Sequence, residues 1–492
     1  MEAVGCASAT TNPDGWPHEA SYVPSGLTRN DLVQRYYYDK NYQLTSQFNR
    51  TRHAPATEFE KDATLYWQHN FKEEEHELRA EATVSSQGED EKNYYNNIYN
   101  YPPQRSLADN NWVNQVEKNQ QLTIDYVNPL TEKSKLELGY AGSFIQQDID
   151  FYVEDFDTVQ NKFIANQLRS NRFLYNESVH AVYSTYQHIY DAFSFSAGLR
   201  AEQAFTKVNL LTKDSVISNQ YFQFYPTLHL AYQLKKGELQ LNYSRRVNRP
   251  DGDAMNPFPE YIDPLNLRAG NPKLLPEYIH SIEFGYQLNG DKFTFVPSIY
   301  YRYKYNSFTT VTKPINDSVL LTTRENLSND QSAGVELILS ANAAKIFSAN
   351  LSANIFYNTI HADNLGISQK KSIISFSTNF ISTFTFTPNT QLQLSCNYRS
   401  ARQTAQGQFF PSFVMNIGAR QDLFKKKLAI TLTISDILKT LQQKVTLNTA
   451  YFSQTAITSR DARVIYIGFS YRFGRSNSKK PAPEKMQFDN NL

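Results

Sequence analysis

Cysteine is scarce: Cys6 and Cys396 are the only two in 492 residues. They permit one bridge at most and exclude a disulfide framework. Cys396 falls on the apolar side of an alternating segment (Leu392, Leu394, Cys396, Tyr398), where a free thiol is expected. Long hydrophobic runs are missing as well. With a mean hydropathy of −0.56, no stretch approaches the roughly 18 apolar residues of a helical membrane span. That absence leaves a membrane β-barrel open, because such a barrel shows lipid only alternate residues and keeps polar ones inside. Neither sign of charge is in excess: 49 Lys and Arg stand against 48 Asp and Glu, scattered along the chain, so no nucleic-acid partner is expected. The opening residues, MEAVGCASATTNPDGW, lack the basic start and apolar core of an export signal. Cys6 likewise lacks the hydrophobic segment that a lipoprotein cysteine needs.

Enzyme signatures are also missing. There is no G-x-S-x-G elbow, P-loop, H-E-x-x-H or C-x-x-C, so neither an enzyme nor a cofactor is expected. His180, His188 and His229 lie within alternating segments and read as ordinary wall residues.

What is abundant is aromatic: 33 Tyr and 32 Phe. From Ala63 onward, apolar residues recur at every second position over segments of ten to twenty residues, longer than the five or six usual in soluble strands. Clear sets are Leu122/Ile124/Tyr126, Leu136/Leu138/Tyr140, Phe193/Phe195/Ala197/Leu199, Leu228/Leu230/Tyr232/Leu234, Ile374/Phe376/Thr378/Phe380 and Ile465/Ile467/Phe469/Tyr471. Period two places each set on one face of a strand. Eight short polar turns, near residues 72–76, 128–133, 190–191, 235–237, 289–291, 342–344, 388–389 and 425–427, alternate with longer loops. The loops are expected at about 87–115, 149–170, 209–220, 248–276, 306–319, 361–370, 401–409 and 437–461. Short turns on one rim and long loops on the other mark bacterial outer-membrane barrels. Eight turns imply sixteen strands; the closing segment Arg463 to Phe473 and one strand before Ala63 bring the count to about eighteen.

The stretch from Asn242 to Tyr286 is the most specific. It leaves an alternating strand, passes through SRRVNRP, NPFPEY and DPLNLRAGNPKLLPEY, and re-enters a strand at Ile282, Phe284 and Tyr286. These words resemble the signature of the outer-membrane β-barrel family found in TonB-dependent receptors and their relatives in Bacteroidota. The resemblance implies an all-β fold: a transmembrane antiparallel up-and-down barrel, with about eighteen strands visible here of about 22. It implies a place in the outer membrane, with lipid and the barrel-assembly machinery as partners, and uptake of an unidentified ligand. In the family an amino-terminal plug couples to the TonB energy-transducing complex; plug, export signal and two hairpins are expected upstream of Met1. The alternative is a plugless barrel with a structural, adhesive or assembly role, or the remnant of a receptor gene. A soluble carbohydrate-binding protein would not need strands of this length.

Within the signature, Arg245, Arg246, Arg249 and Arg268 are the candidate ligand-binding residues, since guanidinium forks suit anionic or sugar-like ligands. Asn248, Pro250, Asn256, Pro257, Asp263, Pro264, Asn266, Gly270, Asn271, Pro272, Pro276 and Glu277 are expected to be architectural, prolines fixing the backbone and Asn or Asp closing turns. Asp148, Asp150, Asp155 and Asp157, with Glu154, are a candidate calcium loop, although their spacing lacks the order of known ones and no metal is expected. The chain is expected to divide into a poorly periodic segment at 1–58 with one strand at Tyr36 to Phe48, a barrel at 59–473, and a disordered periplasmic tail at 474–492.

Overall fold

The computed structural model describes residues 7–9, 18–39, 41–72, 75–263, 265–316, 319–343, 346–459 and 462–473. Among them, twenty strands form one sheet. Two, Ala7–Ala9 and Lys162–Ala165, are short. The other eighteen are His18–Tyr38, Leu44–Asn70, Glu77–Tyr101, Leu107–Thr131, Ser134–Asp157, Asn171–Tyr190, Phe193–Leu210, Ser215–Leu234, Gly237–Asn248, Glu277–Asn289, Phe293–Tyr305, Asn329–Ala343, Phe347–Ala362, Ile367–Thr387, Thr390–Arg399, Ser412–Leu423, Leu428–Ile434 and Ile465–Tyr471. Each of these pairs antiparallel with the next, an up-and-down order. The fold is therefore the all-β antiparallel barrel sheet that the alternation implies. His18–Tyr38 and Ile465–Tyr471 are not paired with each other among the described residues.

Register joins the apolar sets into one belt. Phe195, Leu230, Leu241, Phe284, Ile299, Val335, Ile355 and Phe376 follow one another as Cα partners across eight strands. These residues stay accessible, Ile299 to 57%. An apolar face of that extent is costly in water and fits hydrocarbon. The opposite face is the interior one: in Asn171–Tyr190 every second residue from Asn171 to Ala181 is buried.

The strand ends match the eight expected short turns, two of which, at 72–76 and 342–344, include residues outside the described ones. The opposite rim does not match the loop pattern in several places. Residues 87–115 are almost entirely strand, Glu77–Tyr101 and Leu107–Thr131 each running 25 residues; at about 3.4 Å per residue they exceed what a bilayer requires. The reason is visible on their interior face, where polar side chains answer one another across the register. Arg50 forks Asp109 at 2.8 and 2.9 Å, Arg52 reaches Glu91 at 2.7 Å, and Asn93 donates to Asn111 at 2.8 Å. Tyr36 to Phe48 is not one strand either. Asp39 accepts the backbone N–H groups of Asn41 and Gln43, both at 2.8 Å, and the turn it caps separates two strands. The second of these, Leu44–Asn70, runs through the expected boundary at residue 58. Cys396 is free, on the belt face beside Phe380 and Met415. Cys6, Pro264 and the segment 474–492 lie outside the described residues.

Candidate functional site

Four of the expected loops do fold, and they fold together. The signature segment leaves Gly237–Asn248 and forms a one-turn helix, Gly252–Met255, capped by Asp251, whose carboxylate accepts Ala254 N–H at 2.7 Å. Met255 and Phe258 pack on Ile149, Phe173, Tyr175, Val208 and Leu210, all on the interior face of the wall. Met255 is 1% exposed, a burial that contributes about 1.5–3 kcal/mol to holding the loop. The segment then crosses the lumen: Asn266 donates to the Tyr37 hydroxyl on the first long strand at 3.1 Å. One loop touching both the first strand and the strands at 134–210 requires the sheet to curl around it.

Two small sheets complete the assembly. Glu260–Asp263 and Asn266–Arg268 join the hairpin Phe308–Pro314 and Leu320–Asn326; Arg402–Gln403 and Gly407–Phe409 join Gln442–Asn448 and Ser453–Ser459. They meet at Gln406, whose side-chain amide donates to Thr312 O at 2.9 Å and accepts Thr312 N–H at 2.7 Å, imitating a strand pairing. The expected loops at 306–319, 401–409 and 437–461 thus contain strands.

The signature residues act at the joints. Tyr175 donates to the Pro250 carbonyl at 3.2 Å, and Asn256 accepts Phe258 N–H at 3.1 Å. Gly270 and Asn271 donate backbone N–H groups to Asn256 O and Ala254 O at 2.6 and 2.7 Å. A Cβ on Gly270 would stand 2.5 Å from Ala254 O, so only glycine permits that approach. Asn271 also donates to Arg324 O and Glu325, at 3.1 and 2.9 Å. Buried Glu277 accepts Ser307 Oγ and Phe308 N–H, joining the strand after the signature to the start of the hairpin. Pro276 is buried; Pro257 and Pro272 are half-buried and Asn248 is exposed at its strand end. Asp263 pairs with Asn266 through the backbone.

The four arginines separate. Arg245 is held by Phe224 O, Gln223 and Tyr305 at 2.9, 2.7 and 2.7 Å, with Tyr278 and Tyr225 beside its guanidinium. Arg249 is bound to Glu202; burial works against its charge, but the Glu202 contact outweighs it and holds the guanidinium above its ordinary value. Arg246 and Arg268 are exposed. Arg268 lines a cavity of about 650 Å³ with Asp251, Asp253, Glu260, Thr310 and Arg324. Arg324 lies in the hairpin of Phe308–Pro314 and Leu320–Asn326, which holds no sequence-derived candidate; its run of β-branched residues, Thr309 to Thr312 and Thr322 to Thr323, is the signal that marks it as strand.

The aspartates at 148–157 do not converge. They belong to the strand Ser134–Asp157, whose alternation puts Asp148 and Asp150 on one face and Asp155 and Asp157 on the other. Arg172 forks Asp148 at 2.8 and 3.0 Å, Asp155 binds Arg169, and Asp157 accepts Val159 and Gln160 N–H. Among the described residues, no three His, Cys, Asp or Glu side chains group as a metal site.

Known proteins share the fold. The chain shares its fold with the ferric yersiniabactin uptake receptor FyuA from Yersinia pestis (TM-score 0.54, 9% identity, 93% of this chain and 78% of that one). It is similar to the siderophore receptor PiuA from Acinetobacter baumannii (TM-score 0.54, 10% identity, 93% and 80%) and to the copper transporter OprC (TM-score 0.53, 11% identity, 94% and 78%). At such identities the likeness concerns fold alone. No curated protein matches the sequence. A family model described as the outer membrane protein beta-barrel family matches residues 69–471. With most of its length inside that match, the chain belongs to the outer membrane protein β-barrel family.

Proposed function

We propose that this protein is the barrel of a TonB-dependent receptor that takes up a ligand across the outer membrane without chemically altering it. The observation that carries the reading is the loop assembly inside the barrel, where the signature segment crosses the lumen and walls a cavity of about 650 Å³, a size suited to a small ligand. The signature residues are the struts of that assembly, and Arg268, with its guanidinium exposed in the cavity, is the ligand-facing member of the four arginines. The proteins of like fold named as receptors and transporters support the same class. Energy coupling through a plug and the TonB complex, insertion by the barrel-assembly machinery, and a periplasmic tail at 474–492 complete the proposal.

The test is genetic. Strains lacking this gene, the energy-transducing complex, or both are grown with iron, copper, glycan or peptide limiting. Uptake predicts a defect on one nutrient class that the transducer deletion reproduces and the double deletion does not deepen. An additive double defect, or none on any class with altered adhesion instead, would overturn it.

A further inference from the structure

A second chamber adjoins the cavity. It is a space of about 470 Å³ bordered by Thr309, Thr312, Gln403, Thr404, Phe308 and Phe409; Thr310 and Thr322 border both chambers. The two differ in charge. The larger has three carboxylates, Asp251, Asp253 and Glu260, and two guanidiniums, Arg268 and Arg324. Register accounts for part of this: Arg268 stands opposite both Glu260 and Thr322, and Thr310 stands opposite Arg324 two residues on, so all five share one face of the small sheet. Asp251 and Asp253 come from the capped helical turn opposite.

Neither Arg268 nor Arg324 takes part in an ion pair among the described residues, although Glu260 is the cross-strand partner of Arg268. Among the described residues, the Asp253 carboxylate accepts a hydrogen bond from the Gln147 amide alone, at 3.1 Å. A neutral ligand displacing water here would leave charges of both signs unmatched, which is costly. A simple anion would meet three carboxylates and a simple cation two guanidiniums. A molecule carrying both charges, separated by hydrogen-bonding groups, meets the two guanidiniums with its anion and Asp253 and Glu260 with its cation, Asp251 being engaged as the cap of the helical turn.

We infer that the charged chamber binds a short peptide as a zwitterion. Its carboxylate is forked by Arg268 and Arg324, its ammonium lies toward Asp253 and Glu260, and its side chains lie against Thr310 and Thr322. A tripeptide spans about 10 Å extended, within the reach of such a cavity. This inference rests on the uptake reading by naming its substrate class, and the two fail separately: the growth test can succeed on another nutrient while peptide binding fails.

The experiment is calorimetric titration of the native protein, purified from the outer membrane in detergent, with trialanine, its N-acetyl and C-amide forms, maltotriose and inorganic phosphate. Trialanine is expected to bind, each blocked form at least tenfold more weakly, with no heat from maltotriose or phosphate. The paired substitution Arg268→Gln and Arg324→Gln is expected to weaken trialanine at least tenfold and to leave the C-amide form nearly unchanged. The blocked peptides probe the same contacts on unaltered protein, so a variant that fails to assemble does not decide the question. Equal binding of free and blocked peptides, preference for maltotriose or phosphate, or no peptide binding by protein that keeps heat-modifiable gel migration would overturn the proposal.

Discussion

The two halves of the barrel solve the problem of what lies beyond the membrane in opposite ways. Strands in the first half are long, 27 residues in Leu44–Asn70 and 25 in each of the next two. In the second half most are shorter, 12 in Gly237–Asn248 and 7 in Leu428–Ile434 and Ile465–Tyr471, with Ile367–Thr387 the exception at 21. In the first half, interior side chains find partners on the neighbouring strand, as Arg52 does in Glu91, or one strand further, as Arg50 does in Asp109, so the ladder simply continues past the bilayer. In the second, the chain meets prolines at 250, 257, 259, 272 and 276, which cannot donate to a ladder. It leaves the sheet and spends its hydrogen bonds on an interior assembly. Cavity-lining charged groups accordingly gather from the second half, and polar wall staples from the first.

The largest expected effect comes from breaking a staple. Arg50 and Asp109 are both nearly fully buried, so Arg50→Met leaves a buried carboxylate short of its main partner and should cost about 3–5 kcal/mol; the midpoint of urea unfolding followed by heat-modifiable migration measures it. Met255→Ala should cost about 2–5 kcal/mol, but on the other side of the comparison: hydrogen exchange should rise across 250–276 while the strands of the first half keep their protection. Uniform loss of protection in both halves would erase the distinction. Replacing Gln406 by Leu removes both bonds to Thr312 and should loosen the contact between the two small sheets by about 1–3 kcal/mol, read as faster proteolysis within 308–326 at unchanged barrel stability. The smallest effect is expected at Arg172→Gln. Its fork on Asp148 is exposed, with 49% and 39% of the two side chains accessible, and loss should stay within about 1 kcal/mol.

These outcomes bear on what was legible beforehand. The apolar face was readable because lipid selects every second residue locally; Leu241, Phe284 and Ile299 announce themselves without knowledge of their partners. The turns were readable for the same reason, each being a few polar residues between two such runs. The extension of strands through 87–115 was not, because GEDEKNYYNN and its neighbours have no lipid face and resemble a polar loop until Asn93 meets Asn111 and Arg52 meets Glu91. The candidate arginines show the same limit. Four look alike in sequence, yet Arg245 and Arg249 are taken up by Tyr305 and Glu202, and Arg268 remains available.

By itself, then, the sequence determined an outer-membrane barrel with its belt, its turns and the place of its signature, because alternation and turn chemistry are properties of neighbours along the chain. Which polar segments extend the wall, which fold inward, and which charges stand unpaired in a common cavity were decided only by the tertiary structure, because each depends on a partner far away in sequence. Asn266 finds Tyr37 and Gln406 finds Thr312 only once the sheet has curled.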